Sequence, residues 1–306
     1  MAKRNEYCER GSARTYIHLH TIAVLLCLLL VQSLAGEEKP KRTSTFPQDW
    51  LKTLVSIETK EPNKPKEPEK APMPRGSGFL VGTPEKHLAL VTAKHVVFDK
   101  EKEWTLRPHL AYRMNRKEGM SDLFTEAEVA KYRPEGWIKS DKHDVACRIM
   151  IRREKLSDVK QIEYSHFLTN PTIEPGAPLF VIGFPMGMRS EKYATAILRR
   201  GMVARADSVE IVAEVFVFPG NSGGPVVYAP SDITMFLSSM LHDQKLVGLV
   251  SECISYSEMA VSPQTGHPRI LFEDNAGLCN VVPASAILEL LKSPDFVAAD
   301  TKTTRR

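Results

Sequence analysis

The hydrophobic positions of this chain fall into many short runs. Gly76 to Val81, Ala89 to Thr92, Val145 to Ile151, Ala194 to Ala206, Val209 to Phe218, Val226 to Tyr228, Leu246 to Ser251 and Leu278 to Val282 are separated by stretches rich in Gly, Pro and charge. Short apolar runs bounded by turn residues predict buried β-strands, and so many of them predict an all-β architecture. Leu51 to Thr59 has the spacing of a helix turn running into a strand. Ser121 to Lys131 is polar with helical potential and predicts a surface excursion. Pro283 to Lys292 breaks the β pattern, because Ile287, Leu288, Leu290 and Leu291 recur at helical spacing. A carboxy-terminal helix packed on the β structure is expected there.

Two stretches lack a core pattern. Lys60 to Arg75 holds Pro62, Pro65, Pro68, Pro72 and Pro74 among lysines and glutamates, a composition for a linker or an extended exposed loop. The amino terminus starts basic, then carries an apolar run from Ile22 to Val31 and the small residues Ser33 and Ala35 before Gly36. That run is short for a membrane span, which takes around 20 residues. It predicts a signal peptide over residues 1–35 and a secreted or periplasmic protein, with an uncleaved membrane anchor as the alternative. Residues 36–49 read as a flexible spacer.

Composition narrows the class further. Of the 306 residues, 42% are hydrophobic and 25% charged, and the formal net charge is +4. Half of that charge sits in the leader, and no basic stripe with interleaved aromatics points to nucleic acid. Of the five cysteines, Cys8 and Cys27 lie in the leader, leaving Cys147, Cys253 and Cys279. An odd number without C-x-x-C spacing argues against a disulfide framework and against a metal site. A single bridge between Cys253 and Cys279 stays open if their strands are neighbours.

The chemistry is concentrated in Pro219-Gly220-Asn221-Ser222-Gly223-Gly224-Pro225. Glycines on both sides of one serine suit a tight turn whose N–H groups face a ligand. A serine hydroxyl becomes nucleophilic when a base takes its proton and donors hold the oxyanion that forms. The N–H groups of Gly220 and Ser222 are the candidate donors. His95, at the end of an apolar run, is the candidate base. Asp144, at the start of another, is the candidate carboxylate, with Asp99 and Asp141 as rivals. A Gly-rich turn with an incidental serine is the alternative for the motif taken alone.

Gly76-Ser77-Gly78-Phe79-Leu80-Val81, Thr92-Ala93-Lys94-His95, Asp144-Val145-Ala146 and Gly220-Asn221-Ser222-Gly223-Gly224 together resemble the trypsin-like serine peptidases, and most nearly the HtrA/Deg-type protease domain. The order His, Asp, Ser is that of the chymotrypsin-like class. The resemblance runs from about Trp50 to Lys292. It implies two antiparallel β-barrels, about 50–160 and 172–283, within a peptidase domain spanning 50–295. A helix over 284–292 and a tail over 296–306 follow, without the PDZ domain usual in HtrA proteins. It makes Leu54 to Thr59 the first barrel strand and Glu174 to Gly187 the opening of the second barrel. It also implies a His95–Asp144–Ser222 triad, with Gly220 and Ser222 as the oxyanion hole. The primary specificity pocket falls on Phe216 and Val217, faced by Ser251 and Glu252. Because Asn221 is uncharged, no new amino terminus is needed to pair with it. The implied activity is cleavage of protein or peptide substrates without a cofactor. A protein-binding pseudo-protease and an esterase-like acyl hydrolase are the other readings.

Overall fold

The computed structural model describes residues 46–62, 68–151, 157–169, 173–190, 192–207, 210–228 and 244–302. The predicted signal peptide and most of the spacer lie outside these residues. A 3-10 turn, Gln48–Thr53, runs into β1 (Leu54–Thr59), so the mixed pattern of that stretch reflects both elements. There follow β2 (Met73–Gly82), β3 (Leu88–Thr92), the single helical turn α1 (Lys94–Val97), and the short pair β4 (Phe98–Asp99) and β5 (Thr105–Leu106). Next come β6 (Leu110–Arg116), β7 (Met120–Thr125), α2 (Glu126–Tyr132), β8 (Trp137–Lys139) and β9 (Ala146–Met150).

Seven of these strands form an antiparallel sheet in the order β7-β6-β1-β2-β3-β9-β8. Side chains draw its two ends together. Trp137 on the edge strand β8 donates through Nε1 to the Tyr112 hydroxyl on β6, at 2.9 Å. Both rings lie against the guanidinium of Arg148, which is fully buried. Glu126 at the start of α2 accepts from Arg148 and from the Tyr112 hydroxyl, so the enclosed charge has a partner. A buried guanidinium left alone would be strongly destabilising, which explains why an acidic helix start sits over this end of the sheet.

The second half closes into a barrel, β10-β11-β12-β15-β14-β13. Its strands are β10 (Pro178–Gly183), β11 (Ile197–Ala206), β12 (Ile211–Glu214), β13 (Pro225–Tyr228), β14 (Lys245–Val261) and β15 (Pro268–Pro283). Inward residues such as Leu179, Val181, Val203, Ala213, Val226 and Val281 form its own core. Helix α3 (Ala284–Leu291) buries Ile287, Leu288, Leu290 and Leu291, as their spacing predicts.

Three stretches differ from the sequence reading. Ser121 to Thr125 is strand, and helix begins only at Glu126, because Thr125 and Glu128 form a capping box that sets the start. Residue 296 does not open a tail. Pro294–Asp300 is a second helix, α4, with Phe296 buried and Asp300 accepting from Thr83 Oγ1 at 2.6 Å and paired with His87 Nδ1 at 3.0 Å. Finally, β14 and β15 extend far beyond the apolar runs that announced them. Their outer halves, Ser255 to Val261 and Pro268 to Asn275, pair with each other and leave Tyr256, Met259, Ile270 and Phe272 exposed.

Candidate active site

The register of the first sheet brings His95 and Asp144 together. Thr92, the last residue of β3, pairs with Ala146, the first of β9. His95 lies three residues past Thr92 and Asp144 two before Ala146, so both emerge at the same end of the sheet. The α1 turn is fixed by Lys94, whose buried side chain donates to the Ser140 carbonyl at 2.7 Å and lies over the Trp104 ring. Ser140 Oγ in turn accepts from the His143 amide at 3.1 Å, bracing the turn that presents Asp144.

Asp144 grips His95 twice. Oδ2 lies 2.7 Å from His95 Nδ1, and Oδ1 accepts the His95 backbone N–H at 3.0 Å. This fixes the ring's position and holds the proton on Nδ1, leaving Nε2 to act as a base. The rivals are engaged or turned away. Asp99 pairs with Arg107 at 3.4 Å, and Asp141 is exposed.

Ser251, expected in the wall of a specificity pocket, has its hydroxyl on Asp144 Oδ2 at 2.6 Å. Burial alone would raise the Asp144 carboxyl. The hydrogen bond and charge of His95, together with the Ser251 hydroxyl, outweigh that and hold it below the usual carboxylate range. A depressed carboxylate stabilises the fold fully above its unfolded value of about 3.9 and loses that contribution as pH falls through the folded one. Asp144 is therefore ionised at neutral pH. Ser251→Ala is expected to lower kcat/KM about three- to tenfold, for one charge-assisted hydrogen bond partly replaced by water. The variant also moves the acid-unfolding midpoint upward. Steady-state kinetics and acid titration check both.

The Ser222 turn belongs to the second barrel but rests on the first sheet. The Ser222 carbonyl accepts the Ser77 N–H of β2 at 2.9 Å, and the Gly223 N–H bonds the Val250 carbonyl at 2.7 Å. Gly223 has φ +82°, and a Cβ there would meet Thr92 Oγ1 at 2.1 Å, the Ser77 carbonyl at 2.2 Å and the Ala93 nitrogen at 2.8 Å. The residue after the serine thus abuts the residues just before His95. The Ser222 hydroxyl itself makes no hydrogen bond among the described residues, and it is partly exposed. Contacts of this kind commonly tighten only when substrate arrives.

Two N–H groups in this turn, those of Gly220 and Ser222, find no acceptor among the described residues. The carbonyl preceding each is held elsewhere. Met186 N–H donates to the Pro219 carbonyl at 2.6 Å, and Gly224 N–H to the Asn221 carbonyl at 2.9 Å. A trans peptide directs its N–H opposite to its C=O, so both free donors face away from those contacts. Gly220 adopts φ +101°, a conformation that glycine takes without penalty. Asn221 is buried, and its Oδ1 accepts from the Phe218 N–H at 3.1 Å, so the turn braces itself without an ion pair.

The chain matches the trypsin-like peptidase domain family over residues 76–230, just over half its length. It belongs to that family. No curated protein sequence matches it. Among solved structures it is similar to the HtrA-type protease AlgW, with tripeptide, at 14% identity and a TM-score of 0.45, covering 79% of this chain and 60% of that one. The chain therefore spans less than two thirds of the length of that structure.

The remaining sequence candidates are spread around the second barrel. Val217 is buried in its core and its carbonyl accepts from Asn275 Nδ2 at 2.5 Å. Phe216 is 58% exposed and stands beside Gly277, in an open groove of about 730 Å³ with Arg200, Met202 and Glu214. Glu252 is exposed, and its Oε1 accepts from Asn280 Nδ2 at 3.4 Å. Cys253 and Cys279 are directly paired across β14 and β15, as free thiols. Among the described residues, no group of three or more His, Cys, Asp or Glu side chains could hold a metal ion. The Asp144 role of Ser251 and the Met186 contact had no local signal in the sequence, since both are made between distant segments.

Proposed function

We propose that this protein is a serine endopeptidase acting through His95, Asp144 and Ser222. One observation carries the reading. A histidine oriented by a partly buried carboxylate and a serine turn with two unengaged N–H groups lie at the junction of the two halves, where Gly223 abuts Thr92 and Ala93. Ser222 Oγ attacks the scissile carbonyl while His95 Nε2 takes its proton. The tetrahedral oxyanion forms against the Gly220 and Ser222 N–H groups, each contributing roughly 3–4 kcal/mol. His95 then protonates the leaving amine. A water molecule deprotonated by His95 attacks the acyl-enzyme, the bond to Ser222 Oγ breaks, the carboxylic acid leaves and His95 returns the proton to Ser222. Asp144 keeps the imidazole in the required tautomer and stabilises the imidazolium. A fluorophosphonate probe is expected to label the wild type and not Ser222→Ala. Paired peptide and ester substrates separate a peptidase from an acyl hydrolase confined to esters.

Cleavage after small or medium apolar residues such as Ala, Val or Leu is expected. Phe216, the accessible one of the two expected pocket residues, carries no charge to pair with a basic side chain, and burying an unpaired ammonium costs several kcal/mol. A peptide-library profile dominated by Lys or Arg before the cut would move the specificity determinant to Glu252.

We further propose that the protein is secreted or periplasmic and begins at or near Gly36 once the leader is removed. Amino-terminal sequencing of exported material checks this, and intact Met1 in a membrane fraction would point to an anchor instead.

A further inference from the structure

The sheet and the barrel are joined by a buried ion cluster that includes none of His95, Asp144 and Ser222. Glu58, near the end of β1, is fully buried. Its carboxylate accepts from Arg113 through Nε at 2.8 Å and Nη2 at 3.0 Å, and from Arg189 through Nε at 3.0 Å and Nη2 at 3.3 Å. The Ser56 hydroxyl adds a further bond at 3.0 Å. Arg113 belongs to β6, the neighbour of β1, and by itself balances the Glu58 charge within the sheet. Arg189 is the second cation on one carboxylate, and it arrives from the segment that follows β10. A two-pronged guanidinium contact fixes direction as well as distance. Arg189 therefore ties that segment to the sheet.

The segment it ties down is the one that touches the serine turn. The Phe184 N–H donates to Ser77 Oγ at 2.9 Å, and Ser77 Oγ–H donates to the Gly220 carbonyl at 2.7 Å. Two residues on, the Met186 N–H holds the Pro219 carbonyl. Met186 takes φ +53°, a left-handed conformation unusual for a side chain of its size, so this short turn is held by its surroundings. If the Pro219–Gly220 peptide rotated, its carbonyl instead of its N–H would face the serine.

We propose that Arg189 is a positioning residue for the oxyanion donor. Bound to Glu58, it keeps the turn at residues 184–188 in place, and through the Met186 N–H it keeps the Pro219–Gly220 peptide with its N–H toward the scissile carbonyl. This rests on the reading of Gly220 as an oxyanion donor. Losing one such donor lowers kcat by about 10²–10³. Loosening the tie leaves the donor present for part of the time, so Arg189→Ala is expected to lower kcat about 10- to 100-fold with KM within about twofold. Affinity for a peptide aldehyde, whose adduct carries the same oxyanion, falls in parallel. Arg189→Lys keeps the charge but not the fork and recovers part of the loss.

The same variants are examined by hydrogen exchange at the Met186 amide, which reports the contact whether or not the protein is active. Faster exchange at Met186 in Arg189→Ala, with β1 and β6 still protected, together with the kcat loss, supports the proposal. Unchanged protection at Met186, or wild-type kcat and aldehyde affinity in a folded variant, overturns it. Should Arg189→Ala fail to fold, Arg189→Lys is judged by the same two readouts. A wild type that neither cleaves peptides nor binds the aldehyde would sink the peptidase reading instead, and the Met186 exchange would then decide the tie on its own.

Discussion

Ser222→Ala leaves a folded protein whose kcat/KM for peptide hydrolysis falls by about 10⁴ or more. The fold is spared because the Ser222 hydroxyl supports nothing else. It makes no hydrogen bond among the described residues, whereas the contacts that shape the turn are made by backbone groups of Ser222, Gly223 and Gly224. His95→Ala gives a rate loss of the same order, since a serine without a base is a poor nucleophile at neutral pH. It also costs stability, because Asp144 keeps only the Ser251 hydroxyl as a side-chain partner and loses the His95 interaction that offsets its partial burial. The double variant is expected to be no slower than either single one, because nucleophile and base act as a unit. Steady-state kinetics, fluorophosphonate labelling and thermal unfolding of the three variants test this together. Retention of most peptidase activity by a folded Ser222→Ala protein would end the mechanism.

Gly223→Ala is expected to abolish measurable activity and to destabilise the protein by roughly 4 kcal/mol or more, the range reserved for steric and strain failures. Two penalties coincide at this position. A left-handed φ of +82° disfavours any side chain with a Cβ. The added Cβ would also sit 2.2 Å from the Ser77 carbonyl and 2.8 Å from the Ala93 nitrogen, backbone atoms that can move only by shifting β2 or the His95 turn. For a domain of this size, each kcal/mol lowers Tm by about 2–4 °C, so a fall on the order of 10 °C is anticipated. Displacing Ser222 by even 1 Å from its attacking position is enough to lose about 10²-fold in rate. Calorimetry and kinetics on the same preparation check both effects. Wild-type Tm and activity would show that the turn does not press on Thr92 and Ala93 as described.

The resemblance that identified the family rests on local stretches, and local stretches are where sequence is legible. A glycine-flanked serine announces a tight turn because only glycine takes the conformations at Gly220 and Gly223 freely. The strand ends at Thr92 and Ala146 can be read from apolar runs, so His95 and Asp144 could be set at the margins of strands. Asp144 stands at such a margin, whereas Asp99 pairs with Arg107.

Other features carry no local mark. The outer halves of β14 and β15 lack clean alternation because both of their faces meet solvent, so burial left no pattern there to read. Helix α4 is a single short segment whose apolar contact, Phe296, gives too few residues for a period.

The amino-acid sequence by itself determined the strand-rich class, the family, the glycine-flanked serine turn and the candidate histidine and aspartate. The class follows from the apolar runs, and the rest from the resemblance of four short motifs to the trypsin-like peptidases. Only the tertiary structure decided that Ser251 serves Asp144, that Met186 orients the peptide before Gly220, and that Arg189 reaches Glu58. Each of these joins segments more than thirty positions apart, the Ser251 and Arg189 contacts between the sheet and the barrel and the Met186 contact within the barrel half.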